Sequence, residues 1–184
     1  MYVEGANNCD LKFYKMSPDV PTPVWGTNGS TCFDLTFAPV GDVVSGYDEN
    51  NTPIKRLLPK DSRELTIYPG ERLLVPTGLI FKIDVPLSDL HIPRTYSIRL
   101  HARSGMALKR GLILANSEGV VDIDYQEQVY ALMVNTSKVV QTIQLHERIC
   151  QAEVVKNQAI SLKEVSFRPE PFMNRTGGFG STGS

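Results

Sequence analysis

The residues of this chain that could do chemistry lie in short, widely separated stretches. In Asn116–Gln128 (NSEGVVDIDYQEQ), Asp122 and Asp124 stand two apart and Tyr125 follows directly. On an extended backbone that spacing puts both carboxylates on one side. A carboxylate beside a phosphoryl group can act as general base toward a water, and an adjacent ring can pack on a sugar. An acidic surface turn has the same composition. In Ala102–Gly111 (ARSGMALKRG), Ser104 suits an N-terminal cap, Met106 to Lys109 are good helix formers, and Gly111 suits the C-terminal stop, so a short helix is predicted. Serine and glycine opening a helix offer backbone N–H groups to an anion, and Arg103 adds a planar fork for phosphate oxygens. Serine caps are common, and most bind nothing.

Other stretches are equally double-sided. In Ser30–Leu35 (STCFDL), Asp34 stands between Phe33 and Leu35, where a carboxylate could hold magnesium through water or serve an ordinary turn. His146–Gln151 (HERICQ) reads as a turn entering a buried strand, with Arg148 a surface charge and Gln151 a partner for buried backbone. The terminal NRTGGFGSTGS sets Phe179 among glycines, with Arg175 before it and Ser181-Thr182 after. That is the composition of a disordered tail, or of an arm that stacks on a base and donates to phosphate.

The elements that must position these residues are strands. Glycine and proline punctuate short β-branched and aromatic runs at Glu64–Tyr68, Arg72–Val75, Gly78–Ile83, Tyr96–His101, Gln128–Val134, Val139–Leu145, Ile149–Val155 and Ile160–Phe167. Tyr96, Ile98 and Leu100 alternate with Ser97, Arg99 and His101, the period of a strand with one buried face. Short strands at this spacing predict an all-β sandwich, jelly roll or barrel with one short helix. Gly41–Ser62 is polar and turn-rich, and reads as a long surface loop or insertion with room for a protein partner.

With 184 residues, 41% hydrophobic and 21% charged, the chain suits one soluble domain. Lysine plus arginine total 19 against 20 acidic residues, which argues against nonspecific grip on nucleic acid while permitting a small basic pocket. Cys9, Cys32 and Cys150 form neither a disulfide framework nor a CxxC site, and His91, His101 and His146 show no ligand spacing with one another. The spacing therefore predicts no zinc site. No apolar run is long enough for a membrane span and no signal peptide is read, so the expected location is cytoplasmic, or nuclear in a eukaryote.

Taken in order, TNGSTCFDL, ARSGMALKRG, GVVDIDY, ERICQ and GGFGSTG resemble the ordered motifs of the trimeric deoxyuridine triphosphate nucleotidohydrolases, or dUTPases. YPGERLLVPTGLIF is similar to the family's strand between its first two motifs, and the resemblance runs from about Pro21 to the C-terminus. It implies a distorted jelly roll over residues 1–172, a flexible glycine-rich arm at 173–184, and a homotrimer with active sites shared between subunits. The implied reaction cleaves dUTP to dUMP and pyrophosphate by water attack on the α-phosphorus, with Mg2+. By position, Asp122 matches the general base and Tyr125 the residue packing on deoxyribose. Asn116 and the Gly119 hairpin match the uracil-reading segment. Arg103, Ser104, Gly105 and Gln151 match phosphate contacts, and Asp34 the carboxylate facing hydrated magnesium. Phe179 matches the aromatic lid, with Arg175, Gly180, Ser181 and Thr182 the γ-phosphate clamp.

Several positions depart from the family pattern: Ala102 before the arginine, Thr31-Cys32 before the first aspartate, Glu127 after the tyrosine, His146-Glu147 in the fourth motif, and Arg175 one residue closer to Phe179 than usual. None removes a group that performs the chemistry. The related dCTP deamination would want a second serine where Gly105 stands. A non-enzymatic or dual-role nucleotide-binding trimer is the alternative from another class, and the presence of Asp122 and Phe179 weighs against its non-enzymatic form.

Overall fold

Phe33 and Leu35 are buried while Asp34 between them stands on the opposite face, and Tyr96, Ile98 and Leu100 likewise turn inward. Period-two burial of this kind generates the fold. The computed structural model describes residues 9–59, 61–86, 89 and 94–170. Its strands are β1 (Asp10–Lys15), β2 (Val24–Trp25), β3 (Phe33–Thr36), β4 (Val43–Tyr47), β5 (Pro53–Leu57), β6 (Glu64–Ile67), β7 (Arg72–Pro76), β8 (Leu79–Asp84) and β9 (Tyr96–Ala102). After helix α1 (Ser104–Arg110) come β10 (Leu112–Leu114), β11 (Glu118–Asp122), β12 (Tyr130–Asn135), β13 (Gln141–Gln144) and β14 (Arg148–Lys156).

Two five-stranded sheets, β11-β9-β14-β3-β2 and β10-β12-β7-β4-β5, are accompanied by the pairs β1-β8 and β13-β6. The strand pairs of the described residues are antiparallel. One apolar cluster joins both large sheets, with Leu35, Ile98, Leu100 and Ile149 from the first and Val44, Leu73, Val75 and Met133 from the second. This is the antiparallel jelly-roll class with one short helix, as the strand spacing predicts. The run Ile160–Phe167 is an exception: residues 157–170 carry no strand.

The segment Gly41–Ser62 is not the loop that its polarity suggests. It forms the β4–β5 hairpin, registered from Val43↔Leu57 to Tyr47↔Pro53, and β4 joins β7 at Gly46↔Leu73 and Tyr47↔Arg72. Asp48 builds the turn, its carboxylate accepting the N–H groups of Asn50 (2.8 Å) and Thr52 (2.7 Å). The Thr52 bond is the main cause holding Asp48 below the usual carboxylate range. Asn51 takes the left-handed conformation at φ 61°, which asparagine tolerates. At Gly46 a Cβ would stand 1.9 Å from the Arg72 carbonyl oxygen, so only glycine permits this strand approach. Buried Asp42 accepts from Val40 N–H (2.7 Å), Gln128 Nε2 (2.6 Å) and Tyr130 O–H (3.2 Å). The segment is therefore part of the fold, and Asp42 ties it to the start of β12.

Candidate active site

Asp34, Arg103, Ser104, Gly105 and Gln151 come together in one pocket of about 420 Å³. The register explains most of this. Asp34 on β3 pairs with Gln151 on β14, so both half-buried side chains share the sheet face turned away from the core. Arg103 follows β9 and α1 begins immediately after it, at the mouth of the same pocket.

Arg103 donates from Nε to Asp34 Oδ1 (3.0 Å) and from Nη1 to the Arg148 carbonyl (3.0 Å). Arg148 Nη1 reaches Asp34 Oδ2 at 3.0 Å. Two guanidinium groups thus flank one carboxylate, whose side chain is only 11% exposed. A direct dication would have to compete with both, whereas water can still donate to the remaining lone pairs. The donor set fits a hydrated magnesium ion held through water.

Sequence reasoning left Arg148 as a surface charge. Arg148 is indeed exposed, but a β-bulge between Arg148 and Cys150, which lets Ile149 and Cys150 both bury, also gives it a partner. Arg148 is thereby turned toward Asp34. Burial is the main cause pushing the Cys150 thiol up to about 12, so this sulfur is inert packing.

Ser104 is the first helical residue, not the cap. Arg103 holds the cap position with extended φ −82° and ψ 126°, and no side chain caps the helix. The first intrahelical bond runs from Ala107 N–H to the Arg103 carbonyl (3.0 Å), leaving the N–H groups of Ser104 and Gly105 ahead of it. Gly111 ends the helix at φ 65°, as expected. Arg110 locks the helix in place through Gln141 Oε1 (3.0 Å), Glu147 Oε1 (2.5 Å) and the Thr142 carbonyl (2.6 Å). The only advance signal for that role is a cation in a helix's last turn.

Asn116, Gly119 and Tyr125 line a second pocket, of about 310 Å³, floored by Leu74, Leu100 and Leu132. The segment is not a hairpin, because β10 pairs with β12 and β11 with β9. It is a corner crossing from one sheet to the other, turned by Ser117 at φ 62°. Gly119 packs so closely that an added Cβ would lie 2.9 Å from Leu100 Cβ. Tyr125 is 41% exposed, and its hydroxyl donates to the Gln128 carbonyl at 2.9 Å.

Exposed Asp122 ends β11 opposite Ser97. The chain then turns, with Tyr125 N–H bonding the Asp122 carbonyl (3.1 Å), so Asp122 and Asp124 do not continue along one strand face. Arg175, Phe179, Gly180, Ser181 and Thr182 lie outside the described residues.

The two pockets share no residue. Asp122 and Asp34 sit on β11 and β3, which β9 and β14 separate. Three strand spacings are about 14 Å, and the four-residue offset from Ser97 to His101 adds about 14 Å along the strands. Among the described residues no helix is long and apolar enough to cross a membrane.

Comparison with known proteins shows the family and the fold. The dUTPase family model matches residues 60–183. The deoxyuridine 5′-triphosphate nucleotidohydrolase of Finegoldia magna is 33% identical over 163 residues, covering 89% of this chain and 92% of the relative. A solved Staphylococcus bacteriophage 80alpha dUTPase with dUPNHPP shares the fold at TM-score 0.69 and 17% identity, over 95% of this chain and 99% of that one. A mutant dUTPase of S. aureus phage phi11, solved to describe coordination of a structural Mg(II) ion, matches at TM-score 0.63 and 15% identity, over 88% and 99% of the two chains. The chain belongs to the dUTPase family.

Proposed function

We propose that this protein hydrolyses dUTP to dUMP and pyrophosphate, in sites that two or more copies of the chain complete together. The observation that carries the reading is the division of the site into two pockets. The charged one holds Asp34, Arg103, Ser104, Gly105, Arg148 and Gln151, and the apolar one holds Asn116, Gly119 and Tyr125. Triphosphate suits the first, through guanidinium forks and backbone N–H groups. Uracil and deoxyribose suit the second.

Asn116 and the backbone at Gly119 read the uracil edge, and cytosine's exchange of an acceptor for a donor would leave a buried group unpaired. Tyr125 packs on the sugar where a 2′-hydroxyl would need room. Asp122 takes a proton from the attacking water as its oxygen bonds to the α-phosphorus. The bond from that phosphorus to the bridging oxygen breaks, and its electron pair leaves with pyrophosphate. Asp34 would hold, through water, a magnesium ion bound with the triphosphate, and that ion would supply charge neutralisation. The arm at 173–184 closes the site, with Phe179 over the base and Arg175, Gly180, Ser181 and Thr182 at the γ-phosphate.

Assembly as a homotrimer accounts for the separation of Asp122 from Asp34, which one chain cannot close. The exposed Ile160, Leu162, Val165 and Phe167 offer apolar surface for a neighbouring subunit. A cytoplasmic location, or a nuclear one in a eukaryote, suits a soluble nucleotide substrate.

Two measurements test the reading. Pyrophosphate release should be fast with dUTP and at least ~100-fold slower with dCTP, dTTP and UTP. Asp122→Asn and Arg103→Ala chains should each be nearly inactive alone and recover activity when refolded together. No chain in that mixture carries both intact residues, so recovery requires Asp122 of one copy over Arg103 of another. Verified mixed assemblies without recovery would overturn the shared site.

A further inference from the structure

We propose that Cys32, His101 and Glu153 form a binding site for a zinc-class divalent ion, beside the pocket for triphosphate and magnesium, which Cys32 also lines. The cysteine sulfur, a histidine ring nitrogen and a carboxylate oxygen all lie within 4.8 Å of one another. Tetrahedral zinc with bonds of about 2.0–2.3 Å wants its ligand atoms roughly 3.3–3.8 Å apart, so small side-chain rotations suffice. His101 Nε2 and Glu153 Oε1 already stand at 3.0 Å.

The scaffold is rigid. His101 is on β9 and Glu153 on β14, which pair through the register Gln151↔His101 and Glu153↔Arg99. Cys32 directly precedes β3, whose pairing with β14 at Ala152↔Phe33 leads on to Glu153. Three adjacent strands thus deliver three donors to one sheet face. None of the three is fully buried, so an ion can reach them from solvent.

The electrostatics favour a cation. Glu153 brings a carboxylate to the cluster, beside the imidazole of His101 and the sulfur of Cys32. Arg99, paired opposite Glu153, turns instead to Glu118 (3.4 Å) and Asn157 (3.4 Å). Mixed sulfur, nitrogen and oxygen donors select zinc or cobalt over magnesium, which prefers an all-oxygen shell. Linear spacing cannot show such a site, because its ligands are 69 and 52 residues apart along the chain.

The test titrates the purified assembly with ZnCl2 by calorimetry and with CoCl2 by absorption, with MgCl2 as control. We expect one zinc per chain and a thiolate-to-cobalt band in the near ultraviolet, neither displaced by magnesium. Cys32→Ser should abolish the band while Cys9→Ser keeps it. His101→Gln and Glu153→Gln, checked by circular dichroism, should each weaken zinc by more than ~100-fold and decide the matter should Cys32→Ser misfold. A band that survives in Cys32→Ser, zinc affinity untouched in the other two variants, or zinc bound no better than magnesium would overturn the proposal.

Discussion

The two pockets are built by opposite means. Around Asp34 the surface is built from charge: two guanidinium groups on one carboxylate, held by a bulge in β14 and a short helix that Arg110 pins down. Around Gly119 it is built from shape, a corner between sheets resting on Leu100. The glycines make the contrast concrete. An added Cβ at Gly105 would meet nothing within 4 Å, whereas at Gly119 it would strike Leu100. Gly105 answers to no packing need among the described residues, which suits the proposed approach of a phosphate there. Gly119 answers to the fold first and to the ligand second. Charge complementarity can thus be preorganised by paired side chains on the outer face of a sheet, while shape depends on the core beneath it.

Variants at three positions can break or sharpen this contrast. The largest effect is expected at Asp122, the proposed general base, which sits on the exposed end of β11 and lines neither pocket. Asp122→Asn should lower kcat by at least ~100-fold in pyrophosphate release, with Tm unchanged. A large Tm loss would make Asp122 a structural residue.

Next comes Gly119→Ala. Overpacking against Leu100 should destabilise the protein by about 1–3 kcal/mol, read as a lower Tm in thermal denaturation. An unchanged Tm would mean that the corner gives way and is not a shape template at all.

The smallest effect is expected at Gly105→Ala, and it is the sharpest discriminator. Alanine in a helix's first turn should keep or raise stability, by up to ~1 kcal/mol from propensity, read as an unchanged or higher Tm. KM for dUTP should nevertheless rise about tenfold, the scale of one weakened hydrogen bond to a charged phosphate. Wild-type kinetics would remove Gly105 from the phosphate surface.

Much of the architecture was legible because strand burial is a local, period-two property. Seven of the predicted runs, from Glu64–Tyr68 to Ile149–Val155, coincide with β6, β7, β8, β9, β12, β13 and β14. The β4–β5 hairpin was not legible. Its polar turn DENNT reads as loop until Asp48 is seen bonding Asn50 and Thr52, and until β7 supplies the partner edge. Ile160–Phe167 failed in the reverse direction, since a β-prone run is a strand only when another strand pairs with it.

By itself the sequence determined the ordered motifs, the all-β class and the chemical types available at each position, because these depend on residue identity and nearest neighbours. Tertiary structure alone decided that Arg148 turns to Asp34, that Ser104 begins α1 without capping it, and that Asn116 lies at a corner between two sheets. It also decided that Asp122 stands far from Asp34 on one chain. Each of these rests on strand register and on a bulge, which pair residues distant along the chain. Register is set by burying a whole face at once, so no single stretch of residues encodes it.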